Sequence, residues 1–151
     1  MKRRSFLKGT LAIAAGFGLL RPIESLAAAE PVDAFAARSE TDVLTALFEN
    51  TRSTPSGAVK IKAPILAMPG KAIAFKVLCD LDGVEMIAIV TANNRHPLNT
   101  YVSLFDADGY YNTRLRLEQT SMVTAYVKTG GELYSASTYI KVSRGGYGMY
   151  F

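Results

Sequence analysis
From Val59 onward the apolar residues recur with a period of two, and this alternation limits the chain to strands. Val59 and Ile61 alternate with Lys60 and Lys62, and Ile73, Phe75, Val77 and Cys79 alternate with Ala74, Lys76 and Leu78. Met86 to Val90 is a short apolar run, Tyr101 to Phe105 and Thr113 to Leu117 are further strands, and Met122 to Val127 and Tyr134 to Val142 follow across Gly130-Gly131. Asp80-Leu81-Asp82-Gly83 and Asp106-Ala107-Asp108-Gly109 have turn chemistry. About seven strands at these intervals predict a mainly β fold, an immunoglobulin-like β-sandwich. One N-terminal helix precedes it. Ser39-Glu40-Thr41-Asp42 has the form of a capping box, and Val43, Leu44, Leu47 and Phe48 repeat at helical spacing. Phe35 either joins that stripe or acts as a staple. Asn50 to Gly57 is the polar breaker between the two periods.

Charge divides the chain before any motif does. Residues 1–29 hold Lys2, Arg3, Arg4, Lys8 and Arg21 against Glu24 alone. Taking them from 17 basic and 13 acidic residues leaves 12 of each, so the basic balance resides in the leader. A neutral remainder gives no argument for nucleic-acid binding. The leader has a charged head, a mildly apolar Leu11 to Leu20, Pro22, and Ala27-Ala28-Ala29 as a cleavage site. That is signal-peptide anatomy, and the apolar run is too short for a stable span. Arg3-Arg4-Ser5-Phe6-Leu7-Lys8 has the form of a twin-arginine export signal, so a periplasmic location and membrane contact only during export are expected. The division expected is therefore leader 1–29, domain 30–143 and a C-terminal arm 144–151.

The arm reads Arg-Gly-Gly-Tyr-Gly-Met-Tyr-Phe. Gly145, Gly146 and Gly148 weaken strand pairing and leave Tyr147 on a flexible tether. Tyr147, Met149 and Phe151 also alternate toward a terminal aromatic, as in the last strand of a small outer-membrane barrel. The glycines, the opening helix and export in folded form argue against a barrel.

The remaining chemical candidates have structural explanations. Cys79, the one cysteine, shares a strand face with Ile73, Phe75 and Val77 and is expected in the core. His96 sits in the polar loop Asn93 to Asn99 with no second histidine, so no metal site is expected. Asp80, Asp82, Asp106 and Asp108 belong to turns. Lys60 and Lys62, and Arg114 and Arg116, project from strand faces and read as solvated, with anion steering as the sharper alternative. No nucleophile–base pair, phosphate loop or cofactor motif is visible, so the chain is expected not to be an enzyme.

Phe35-Ala36-Ala37-Arg38-Ser39-Glu40, leading into Val43-Leu44-Thr45-Ala46-Leu47-Phe48, resembles the N-terminal helix of the SoxY family. The resemblance continues through Val59-Lys60-Ile61-Lys62-Ala63-Pro64, Asp82-Gly83-Val84-Glu85 with Ile87-Ala88-Ile89-Val90, Pro97-Leu98, and Val127-Lys128 to Gly131-Glu132-Leu133-Tyr134-Ser135-Ala136. SoxY is the sulfur-carrying subunit of the bacterial thiosulfate-oxidising Sox complex. The resemblance implies an immunoglobulin-like domain that forms a heterodimer with a SoxZ-like subunit and meets other Sox enzymes through its arm. In that family the arm ends Gly-Gly-Cys-Gly-Gly, and its cysteine carries the sulfur. Here Tyr147 stands at the place of that cysteine, Met149 replaces the last glycine, and Tyr150-Phe151 are additional. Sulfur transfer needs a thiolate that attacks and leaves readily, and a phenol of pKa about 10 does neither. The resemblance thus implies a subunit that docks non-covalently. The alternatives are a carrier using Cys79 or a partner thiol, and a structural or ligand-binding β-sandwich outside sulfur oxidation.

Overall fold
A computed structural model describes residues 32–68 and 71–143. The leader, residues 1–29, and the arm, residues 144–151, lie outside the described residues, and Gly145, Gly146, Tyr147 and Gly148 go with the arm.

Two helices open the described chain, α1 (Val32–Ala36) and α2 (Glu40–Phe48). The Ser39 hydroxyl accepts from the Asp42 N–H at 3.1 Å, so the cap read in the sequence forms. The helix stops where Glu49 turns left-handed at φ 54°, its N–H donating to the Thr45 carbonyl. Val43, Leu44 and Phe48 are buried and Leu47 is half-buried. Phe35 does not join their stripe. It sits on α1, and its ring packs on Tyr101 with centroids 5.7 Å apart.

Nine strands follow: β1 (Thr54–Pro55), β2 (Val59–Lys62), β3 (Leu66–Ala67), β4 (Ile73–Cys79), β5 (Val84–Thr91), β6 (Leu98–Ser103), β7 (Tyr110–Leu115), β8 (Ser121–Thr129) and β9 (Glu132–Val142). Seven match the alternation, and β1 and β3 are two-residue pieces that the period could not reveal. The larger sheet runs β1-β9-β8-β5-β6, with β3 also on β9, and the smaller runs β2-β4-β7. β1 and β3 lie parallel to β9, and the longer pairings are antiparallel. Two strands sit earlier than expected, β6 at Leu98–Ser103 rather than Tyr101 to Phe105 and β7 at Tyr110–Leu115 rather than Thr113 to Leu117, and β5, β8 and β9 run a little longer. Phe105 falls outside β6 and is 96% exposed, and Leu117 lies beyond β7 yet stays buried.

The two sheets face each other across one core. Val59, Ile73, Phe75 and Val77 of the smaller sheet meet Ile87, Ile89, Val123, Val127 and Ile140 of the larger. The other face of the larger sheet is covered at one end by the helices. There Ala34, Val43, Leu44 and Phe48 pack on Ala88, Val90, Leu98, Tyr126 and Leu133. This second layer explains why Ile87 to Thr91 are all buried: β5 has apolar neighbours on both faces. Burying each large side chain there contributes roughly 1.5–3 kcal/mol. The β8–β9 hairpin closes through Gly130 and Gly131, at φ 57° and 80°, between the paired residues Thr129 and Glu132. Positive φ at both central positions is the two-residue turn whose twist matches the strands, and glycine adopts it freely.

Candidate functional site
The end of β9 is where the arm begins, and it is held on both sides. On its outer edge the Lys141 N–H donates to the Ile65 carbonyl at 2.8 Å and the Ser143 N–H donates to the Ala67 carbonyl at 3.0 Å. On the inner edge β8 begins only at Ser121, opposite Ile140, so no strand remains to pair with Val142. The Thr120 side chain takes over: its hydroxyl accepts from the Val142 N–H at 2.9 Å and lies 3.4 Å from the Val142 carbonyl. An open depression lined by Glu118, Gln119, Thr120 and Val142 lies beside this clamp.

The loop that holds His96 braces the same region. Asn93 donates its N–H to the Ser121 hydroxyl and its amide to the Thr120 carbonyl, at 3.0 and 2.9 Å. Asn94 bridges the Arg116 carbonyl and the Glu118 N–H, at 3.1 and 3.2 Å. Gln119 donates back to the Asn93 carbonyl at 2.8 Å. The polar residues of this loop are therefore spent on fixing segment 116–121, while His96 itself is exposed.

Around the clamp lies an uncovered apolar surface. Met122 and Tyr139 are cross-strand partners on the same face as Tyr126 and Leu133, at the end the helices do not reach. They are 43% and 57% exposed. Leu66 pairs with Lys141, which shares that face with Tyr139, and is 60% exposed. Ile65 and Met68 flank it, at 80% and 55%. Between the covered and bare ends the face is polar, with the Thr124 and Ser137 hydroxyls bonded at 2.9 Å. Sequence reasoning missed this surface, although Tyr139 was readable as an aromatic in phase with Ser135 and Ser137.

At the covered end the Tyr126 hydroxyl donates to Glu40 at the start of α2. Burial, then the Glu40 hydrogen bond and the Glu40 charge, push the Tyr126 phenol above its ordinary range. Phe48 packs on the same ring, centroids 6.4 Å apart.

Cys79 is where the alternation placed it, 9% exposed in the core between the sheets. Its N–H donates to the Gly109 carbonyl, and Gly109 approaches so closely that a Cβ there would lie 2.7 Å from the Cys79 carbonyl oxygen. The two aspartate turns meet over this end of β4, where Asp80, Asp82 and Asp108 line a shallow depression with Cys79. An acidic rim repels a sulfur oxyanion. Lys60 pairs with Asp80 at the surface. Among the described residues no group of three or more His, Cys, Asp or Glu side chains could hold a metal, and no helix is long and apolar enough to cross a membrane.

The family model described as "Sulfur oxidation protein SoxY" matches residues 44–146. Among solved structures, the sulfur carrier protein SoxY from Chlorobium limicola f thiosulfatophilum is 28% identical, with a TM-score of 0.62 over 68% of this chain and 94% of that one. A superoxide reductase (neelaredoxin) from Ignicoccus hospitalis has a TM-score of 0.52 over 57% of this chain and 80% of that one. At 16% identity it speaks for the fold alone. No match was found among the curated proteins.

Proposed function
This chain belongs to the SoxY family of sulfur carrier proteins, and from that premise we propose that it is a docking subunit of sulfur oxidation that binds its partners non-covalently. The family holds substrate rather than turning it over, and the chain is not an enzyme. The observation that carries the proposal is the burial of Cys79, the one thiol in the sequence. A carrier thiol must reach into several enzymes in turn, and a core side chain on a paired strand cannot. The arm supplies Tyr147 where the family's cysteine is expected, and a phenol does not form the reversible sulfur bond.

What remains is binding. The apolar end formed by Leu66, Met122 and Tyr139, with Ile65 and Met68 beside it, is suited to a SoxZ-like subunit in a heterodimer. It surrounds the clamp at Val142 and Ser143, after which the sequence continues into Tyr147, Tyr150 and Phe151. Those aromatics are the arm's means of anchoring to a second Sox protein. The reading includes an immunoglobulin-like closure of the sandwich, the division into leader 1–29, domain 30–143 and arm 144–151, and periplasmic residence after twin-arginine export.

The test pairs the full chain with a SoxZ-like protein and measures association by calorimetry. Leu66→Asp combined with Tyr139→Asp should weaken it by about 2 kcal/mol or more while thermal unfolding stays as in the wild type. Ending the chain after Ser143 should leave that association intact and weaken contact with a Sox enzyme. Unchanged partner binding in the double variant would remove the docking surface from the argument. A sulfur adduct on wild-type Cys79, seen by intact mass after exposure to thiosulfate and the Sox enzymes, would overturn the non-covalent reading.

A further inference from the structure
The smaller sheet carries four basic side chains on its strands and no acidic one: Lys60 and Lys62 on β2, Lys76 on β4 and Arg114 on β7. The alternation that buries Val59, Phe75, Val77 and Leu115 turns all four outward, and each is exposed. Lys62 stands directly opposite Lys76, and Lys76 opposite Asn112, with Arg114 the next outward residue along β7. Lys60 is answered by Asp80. Among the described residues Lys62, Lys76 and Arg114 have no carboxylate partner. Like charges placed directly across a strand pair destabilise it, and residues 30–151 hold as many acids as bases. The chain has acids to place here and places them elsewhere.

We propose that this outer face of the smaller sheet docks a carboxylate-rich surface of a partner protein. Outward residues along one strand lie roughly 7 Å apart and neighbouring strands about 5 Å apart, so the charges form a field wider than a single small anion. They are all solvent-exposed and do not converge on a buried point, as a built anion pocket would require. A membrane surface or a long nucleic acid fits poorly as well. At one end the face meets the turns that hold Asp80, Asp82, Asp106 and Asp108, an acidic border that a membrane or nucleic acid would have to cross. A bounded acidic patch on a folded protein fits inside it. Beside Lys62, Lys76 and Arg114 the outward neighbours Ala74 and Asn112 offer little apolar area, and the exposed Tyr110 opposite half-buried Leu78 stands toward the acidic end, so the contact at the basic residues is fast, weak and governed by charge. This face and the apolar end around Tyr139 lie on opposite outer sides of the sandwich, so one partner does not exclude the other. The inference rests on register and charge and does not depend on the sulfur reading.

The probe is a fluorescent oligoglutamate peptide, titrated by anisotropy against the full chain, against Lys62→Gln/Lys76→Gln/Arg114→Gln, and against a charge-matched control, Arg38→Gln/Arg52→Gln/Lys141→Gln. The leader's cations are common to all three proteins and cancel in the comparison. The face variant should lose about tenfold in affinity, the control should match the wild type, and raising salt from about 50 to 200 mM should weaken the wild type about tenfold. Equal loss in face variant and control would overturn the proposal. Preferential binding of anionic phosphatidylglycerol vesicles through the same three residues would also overturn it, as would full displacement of the peptide by millimolar thiosulfate.

Discussion

The Thr120 hydroxyl accepts a hydrogen bond from the backbone N–H of Val142 at 2.9 Å, so a side chain completes the ladder that β8 is too short to continue. With Ala67 holding Ser143 on the opposite edge, the last paired residues of β9 are fixed where the arm begins. Replacing the hydroxyl by a methyl should therefore act locally. Thr120→Val is expected to cost about 1 kcal/mol of stability and to speed amide exchange at Val142 and Ser143 more than at Tyr126 or Val127. Exchange that rises evenly across β8 and β9 would show that Thr120 has no special hold on the strand end.

The Tyr126–Glu40 contact gives stability a dependence on alkaline pH. A free phenol titrates near about pH 10, and burial with the Glu40 contact holds Tyr126 above that in the folded chain. The folded state therefore resists ionisation that the unfolded state accepts. The resulting stability is full below about pH 10 and is lost as pH rises from there towards the higher folded value. Urea unfolding of the wild type should show this decline, and Tyr126→Phe should flatten it. That variant should also lose about 1 kcal/mol at neutral pH, since Glu40 then lacks its partner.

Cys79 should behave as a core residue. In native protein a thiol reagent is expected to label it slowly, with the rate rising once urea unfolds the chain. Gly109→Ala should destabilise the protein by about 1–3 kcal/mol, because the added methyl meets backbone at Cys79 rather than a side-chain tip that can move. Combining it with Cys79→Ala should not restore stability, since the carbonyl oxygen remains in the way. Rapid native labelling would mean that this end of β4 opens readily.

The leader gives a prediction of location. Arg3→Lys with Arg4→Lys should leave precursor in the cytoplasm if export follows the twin-arginine route. Normal periplasmic yield, measured by fractionation, would remove that part of the reading.

Most of the sandwich was legible because its strands each bury one face. Ile73, Phe75, Val77 and Cys79 alternate cleanly with exposed or half-exposed neighbours, and the seven long strands were found this way. β1 and β3 were not, since two residues carry no period, and what makes them strands is β9 beside them. The helix was read from its cap and stripe, but not its destination. Periodicity names the apolar face of α2 without saying that it lands on Tyr126 and Leu133, 78 or more residues away in sequence. The candidate site was harder still. Lys62 and Lys76 become neighbours only through the pairing of β2 with β4, and Met122 and Tyr139 only through that of β8 with β9. A single sequence does not display register. Cys79 and the aspartate turns were readable because their explanation is local.

β9 has one further consequence, which concerns time rather than shape. Among the described strands it is the last to leave the ribosome, yet β1, β3 and β8 all pair with it. The earlier pieces β1 and β3 have no other strand to join, so they must wait, unpaired, until the Gly130–Gly131 hairpin folds back. The sheet is thus finished from its C-terminal end: a truncation before Lys141 leaves β3 without its partner, and one before Tyr134 leaves β1 without one as well. Completion of the sheet therefore reports that translation has passed β9.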